Sequence, residues 1–290
     1  MKIVTDSGAD LMFPQEVLDT LDVRILPLMV TLDGKSYRED IDITPEKFYQ
    51  LLENTKGLPT TSLPPAGDFA NIYRELGKDG EEILSIHISS GLSGTYNSAV
   101  AGAKMVPEVK VTHFDAKTLS AVVGWMVEAA SRAIRAGWPK EKIIQLLETI
   151  RDGAESIYTL KELKYLIHGG RISHMKGLIA SLLNIKPIIG VEKANGTYEQ
   201  MGQERTFNRA LEGLVKQMKN FYPAGKELRV QVLHSFNHEG AEALRDKIDK
   251  VFKVSWLPLG TMSLVLGAHT GPSMVGVAFA PQEIFDGLPD

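Results

Sequence analysis

Short apolar runs alternate with longer stretches of helical periodicity along the first half of the chain. Residues 2–5 and 83–88 carry β-branched or bulky apolar side chains between polar neighbours, the pattern of buried strands. Residues 23–32 read as a strand pair that turns at Asp33-Gly34, and residues 109–114 as a further strand ending at Asp115. Thr44-Pro45 opens a helix, with Thr as N-cap and Pro at the first helical position, and Phe48, Leu51 and Leu52 give that helix an apolar face. Phe69, Ile72, Tyr73 and Leu76 align over residues 68–76, and Val122, Val123, Met126, Ala130 and Ile134 do so over 119–137. Pro139 starts another helix that runs to about residue 150. Alternation of this kind predicts a parallel sheet with helices on both faces.

The pattern changes near residue 156. Short strands are expected at 157–160, 186–192, 197–202, 228–234, 254–259 and 274–280, with helices at 207–222 and 239–252 and a hairpin turn at Ala194-Asn195-Gly196. The expected fold is therefore an α/β domain over residues 1–156, with a mainly parallel sheet flanked by helices. An α+β domain over residues 157–290 follows, with a mainly antiparallel sheet and helices on one face. The apolar segment 175–189, with Leu178, Ile179, Leu182, Leu183, Ile185, Ile188 and Ile189, reads as core; the lining of a deep apolar tunnel is the alternative.

Composition narrows the function classes. A chain of 290 residues with 43% hydrophobic and 23% charged residues suits a soluble globular protein of two ordinary domains or one large one. A net charge of −4 without a basic block argues against nucleic-acid binding. The lack of cysteine removes disulfides, thiolate nucleophiles and Cys-based metal sites, and fits a reducing compartment. No apolar run approaches the ~20 residues of a membrane helix, and no signal-peptide core precedes the first strand, so a cytoplasmic location is expected. The histidines show no metal-like spacing with carboxylates; His234 and His238 lie four apart, but across a change from strand to helix.

The candidate chemistry centres on Ser89-Ser90-Gly91-Leu92-Ser93-Gly94-Thr95, where a strand runs through a Ser/Gly loop into a helix. Backbone N–H groups and the helix dipole favour an anion there, and the Ser93 and Thr95 hydroxyls add donors. An ordinary capping serine is the competing reading. No Lys follows the glycines, so a nucleotide-binding P-loop is not indicated, and the second glycine comes one position too early for a nucleophile elbow. Thr61 and Ser62 sit in a loop stiffened by Pro64 and Pro65. Asp6, at the end of the first strand, either faces a ligand crevice or caps the next helix. Arg171 follows a double-glycine helix cap, where it either serves an anion or satisfies helix carbonyls. His269 lies in a glycine-framed loop, Gly267 to Pro272, as a ligand donor or proton carrier.

Thr5-Asp6-Ser7, Thr61-Ser62-x-Pro64, Ser89 through Tyr96, Gly169-Gly170-Arg171-Ile172, Lys186-Pro187 and His269-Thr270-Gly271-Pro272 occur in this order over almost the full chain. In this combination the sequence resembles the DegV family of fatty-acid-binding proteins, which includes the FakB subunits of bacterial fatty acid kinase. The resemblance implies a single long-chain fatty acid, such as palmitate, stearate or oleate, held between two domains. Its carboxylate would meet Thr61, Ser62, Ser93, Gly94, His269 and Thr270, with Arg171 as a contact for the head group or a partner. The tail would run into the second domain. The resemblance further implies a separate ATP-binding fatty acid kinase subunit that makes acyl phosphate for phospholipid synthesis, transient membrane-surface contact, and no cofactor, metal or catalytic residue in this chain. Leu63, Pro65 and Ser273 depart from the family pattern, which commonly has Gln, Ser and Gly there. The rival reading is a serine hydrolase or acyltransferase with Ser93 as nucleophile, His269 as base and Asp6 or Asp115 as orienter. A DNA-binding or regulatory protein is disfavoured by the acidic charge balance.

Overall fold

The computed structural model describes residues 1–39, 41–175 and 185–289. The chain opens with β1 (Lys2–Asp6), a short helix α1 (Gln15–Leu18), then β2 (Val23–Leu26), β3 (Met29–Leu32) and β4 (Lys35–Arg38). Next come α2 (Pro45–Asn54), β5 (Thr60–Ser62), α3 (Ala66–Gly77), β6 (Ile83–His87), α4 (Thr95–Lys104) and β7 (Val111–Asp115). Strands β2-β1-β6-β7 form an all-parallel sheet. Its central strands, β1 and β6, are buried along almost their whole length because both faces are covered. On one face Val4, Leu26 and Ile83 pack against Phe69 and Tyr73 of α3 and Ala99 of α4. The other face meets α5 (Ala121–Arg135), which is buried on almost every side and is followed by α6 (Lys140–Gly153) and α7 (Lys164–His168). A helix apolar all round belongs between layers, and α5 also packs against the second sheet.

The second sheet is built from β8 (Glu155–Thr159), β9 (Lys186–Glu192), β10 (Thr197–Glu204), β11 (Glu227–His234), β12 (Lys253–Trp256), β13 (Gly260–Thr261) and β14 (Val275–Pro281). The order is β10-β9-β8-β14-β11-β12, with β13 also on β11. Neighbours are antiparallel except β12 and β13, which run parallel to β11. The crossover helices α8 (Phe207–Phe221) and α9 (His238–Asp249) pack on one face through Leu211, Leu214, Leu244 and Ile248. The opposite face shares a core with α5, through residues such as Tyr158, Ile189 and Ala278.

Three features differ from the expectation. Residues 60–62, read as a loop, form β5 and join β3 and β4 in a small antiparallel sheet. The prolines that suggested a loop follow this strand and do not interrupt it. His269 and Thr270 lie in a helix, α10 (Leu264–Thr270), because Ser263 caps it by accepting from Leu266 N; only Gly271, at φ 73°, is the turn residue. Strand 254–259 is broken into β12 and β13 around Pro258. Of the apolar segment 175–189, Lys186–Glu192 is a strand of the second sheet, whereas Leu178, Ile179, Leu182 and Leu183 lie outside the described residues.

Candidate functional site

The loop after β6 is held by partners on both sides. Asp115, at the end of β7, accepts from Ser90 N at 3.1 Å and Ser90 Oγ at 2.5 Å, and Lys117 Nζ stands 3.1 Å from it. Burial pushes the Asp115 carboxyl up, but hydrogen bonds from Ser90 and Lys117 outweigh it and leave its pKa below the ordinary value. From the second sheet, the β9–β10 turn docks on the same loop, with Ser89 Oγ donating to Gly196 O at 2.7 Å. Gly196 is at φ 68°, and a Cβ on Gly91 would lie 2.8 Å from Gly196 O, so two glycines make this backbone contact.

Within the loop, Ser93 N–H is satisfied by Ser89 O at 3.0 Å. Ser93 Oγ accepts from Thr95 N at 3.3 Å and shares a hydrogen bond with Thr95 Oγ1 at 2.8 Å. Gly94, not Ser93, is the N-cap of α4, but Ser93 Oγ takes up the first helical N–H, so part of the N–H array expected to face an anion is used internally. Ser93 still lines a cavity of about 30 Å³ together with Thr61, Leu92, Arg171, Tyr198 and His269.

At that cavity, Thr61 of β5 meets His269 of α10, with Thr61 Oγ1 and His269 Nε2 2.9 Å apart. Arg171 donates from Nη1 to Gly169 O at 2.6 Å and from Nε to Leu92 O at 3.3 Å. It thereby ties the end of α7 (Lys164–His168) to the serine loop while satisfying a helix-end carbonyl. Burial, reinforced by the charge of Arg171 and by His168, pulls the His269 pKa down to about 4. His269 is thus neutral at physiological pH, and Arg171 is the fixed cation of the group.

The structure brings Thr61, Ser93, Arg171 and His269 around one cavity. It does not place the other expected residues there. Ser62 and Gly94 are exposed, and Thr270 points to a second cavity of about 20 Å³, where its hydroxyl bonds Ser235 Oγ at 3.3 Å and Leu266 O at 3.2 Å. The two cavities share Leu119, Tyr198 and Leu266 as walls. The second is lined by Tyr158, Leu233, Met262, Met274 and Gly276, residues that sequence reasoning did not single out. In sequence they look like any inward-facing positions of buried strands. Each cavity has room for about one or two waters.

The serine-dependent arrangement expected of Ser93 with His269 and Asp6 or Asp115 is not assembled: none of these groups bonds another. Ser93 bonds Thr95 and His269 bonds Thr61, whereas Asp115 bonds Ser90 and Lys117. Asp6 caps the turn after β1, accepting from Gly8 N at 3.0 Å, and also holds His87 Nδ1 at 2.8 Å. His87 Nε2 bonds Ser85 at 2.7 Å, and Ser85 bonds Tyr73 at 2.7 Å; this chain of side chains is fully buried, and Asp6 at its end borders a separate cavity of about 420 Å³ with Ser7, Asp10 and Ser263. Among the described residues no three metal-ligating side chains cluster, and His234 and His238 meet edge-to-face with ring centroids 5.5 Å apart. No helix among the described residues is long and apolar enough to cross a membrane.

The site carries a pH expectation for the fold. His269 and His113 are each held near pKa 4, chiefly by burial, and His234 is lowered for the same reason. Their folded values lie below the unfolded one, so their stabilising effect is complete above about pH 6.5 and is lost as pH falls toward 4. Folding free energy from urea titrations should be level from about pH 8 to 7 and then decline, with His269 alone accounting for about 3 kcal/mol of the loss. A level profile down to pH 4.5 would contradict this arrangement.

Relatives extend over the whole chain. The family model described as "Uncharacterised protein, DegV family" matches residues 1–282. The DegV domain-containing protein SA1258 of Staphylococcus aureus is 36% identical over 275 residues, covering 95% of this chain and 96% of the relative. Among solved structures, the fatty-acid-binding DegV family protein of Thermus thermophilus superposes with a TM-score of 0.85 at 32% identity, covering 97% of this chain and 99% of that one. A stearic-acid-binding protein of Eubacterium ventriosum gives 0.82 at 25% identity, covering 97% and 98%. A parallel sheet, a mixed sheet and a serine loop at their seam, matched in sequence along nearly the full length, make this chain a member of the DegV family.

Proposed function

We propose that the chain binds one long-chain fatty acid at the seam of its two halves, residues 1–156 and 157–290. The observation that carries this reading is the pairing of a polar mouth with an apolar interior. Thr61, Ser93, Arg171 and His269 line one cavity, and its walls continue into a second cavity lined mostly by apolar side chains. The neighbours of similar fold that bind fatty acids support the choice of ligand. The carboxylate accepts hydrogen bonds from the Thr61 and Ser93 hydroxyls and faces Arg171, with His269 fixing Thr61. Ser62 and Gly94 are only chain neighbours of Thr61 and Ser93, and Thr270 lines the second cavity.

The energetics divide the labour. Each buried methylene contributes about 0.8 kcal/mol, whereas a hydrogen bond to a charged group contributes about 1.5–3 kcal/mol. A long tail therefore dominates affinity, and the head-group contacts set orientation. The cavities as they stand are too small for such a tail, so Met262, Met274 and Leu266 must turn aside; unbranched methionine does this at low cost.

In this reading the chain presents the carboxylate to a separate ATP-binding kinase subunit in the cytoplasm, and the acyl phosphate serves phospholipid synthesis. The sequence contains no Gly-rich loop followed by Lys, which favours a partner for phosphoryl transfer. Incubation of labelled ATP, oleate and this protein should yield acyl phosphate only when a bacterial fatty acid kinase subunit of the matching type is added. Product from this chain alone would contradict the presenting role, and no product with the cognate kinase would remove the kinase system from the account.

A further inference from the structure

The hydroxyl of Tyr158 is buried and makes no well-formed hydrogen bond among the described residues; the Tyr198 hydroxyl approaches it without reaching hydrogen-bond geometry. An unpaired buried phenol is costly, and a phenylalanine would fill the same space without that cost. The side chain belongs to β8 and lines the inner of the two cavities. Gly276 on β14 lets the strands come close there, since a Cβ at that position would lie 2.9 Å from Tyr158 Cβ. Tyr198 of β10 meets Tyr158 edge-on, with ring centroids 5.6 Å apart, and lines both cavities. Two phenols thus stand along the route from the Thr61–His269 mouth into the interior. Burial drives the Tyr158 pKa well up and the Tyr198 pKa to about 12, so both stay protonated and able to donate.

A plain hydrocarbon tail offers these hydroxyls nothing. We infer that the cavity takes an acyl chain bearing one oxygen function along its length, a hydroxy or oxo fatty acid, to which Tyr158 donates a hydrogen bond. The inference rests on the fatty-acid reading above and narrows it to a substrate class. Discrimination of this kind is steep, because a site with a buried donor favours the ligand that pairs it over the one that leaves it unpaired.

The test uses the full chain, stripped of lipid, in competition titrations against a fluorescent fatty acid, with stearate and a positional series of hydroxystearates. At least one isomer should bind about fivefold or more tightly than stearate, and in Tyr158→Phe that preference should fall to near unity. Stearate binding as tight as that of every hydroxystearate overturns the inference and leaves the fatty-acid reading standing. A preference that survives Tyr158→Phe overturns the role of Tyr158. Failure of stearate and all its hydroxylated forms to bind overturns both.

Discussion

Glu128→Ala should lower the folding free energy by about 3–5 kcal/mol, the cost of leaving a buried charge without its partner. Glu128 lies on α5 and Arg229 on β11, with 2.5 Å between Oε2 and Nη2, and the two residues are 5% and 8% exposed. Arg132 reaches the other carboxylate oxygen at 3.3 Å. The Arg229 guanidinium also lies over the rings of Phe285 and Trp125, at 4.3 Å and 5.2 Å from their centroids. Trp125 Nε1 in turn donates to Gln231 Oε1 at 2.9 Å. This cluster fastens the helix between the sheets to the second sheet. Removing the carboxylate strands a guanidinium that burial already disfavours. Replacing both partners with apolar residues, as in Glu128→Leu with Arg229→Met, should recover much of the loss. Urea titrations at pH 7 check both, and a cost under about 1 kcal/mol for Glu128→Ala would place the pair in the class of solvent-screened ion pairs.

The second large effect concerns the site. Gly169→Ala is expected to weaken fatty-acid binding by about tenfold, or about 1.4 kcal/mol, in a protein that still folds. Gly169 has φ −68° and ψ −10°, a backbone conformation open to alanine. Its Cβ, however, would overlap His269 Nδ1 and lie 2.8 Å from Cε1 and 3.2 Å from Cγ. His269 is 7% exposed, so its ring must move at the expense of the Thr61 bond. Overpacking of this kind costs about 1–3 kcal/mol of stability. Since the substitution acts through His269, it should add little in a His269→Ala background, where the clashing ring is gone. Binding titrations of the two single variants and the double variant measure this. Wild-type affinity in Gly169→Ala, or a full further loss on top of His269→Ala, would separate His269 from the ligand.

Local pattern made most of the elements legible. Lys186–Glu192 was bounded correctly by its own apolar run, and Asn195-Gly196 marked its hairpin. The parallel order of the first sheet followed from strand–helix alternation. Elements fixed by tertiary contact were not legible. Helix α10 looked like a loop because Gly267 and Gly271 punctuate it, while its cap and burial come from the fold. Thr61 and His269 were identified separately through family motifs, but their 2.9 Å contact spans 208 residues of sequence. Asp6 and His87 likewise meet only in the fold, and there they form an interior network apart from the Thr61–His269 cavity. Tyr158 and Tyr198 carried no signal, since an inward tyrosine on a strand reads as ordinary core until its hydroxyl proves to be unpaired.

The central claim is that this chain holds one fatty acid. Native mass spectrometry of the purified protein, followed by mass analysis of its solvent extract, tests it most directly. The account predicts the 31.9 kDa chain with one non-covalent long-chain fatty acid, and re-uptake of added stearate or oleate at one per chain after lipid is stripped. A bare chain mass, with no uptake of either, would contradict it.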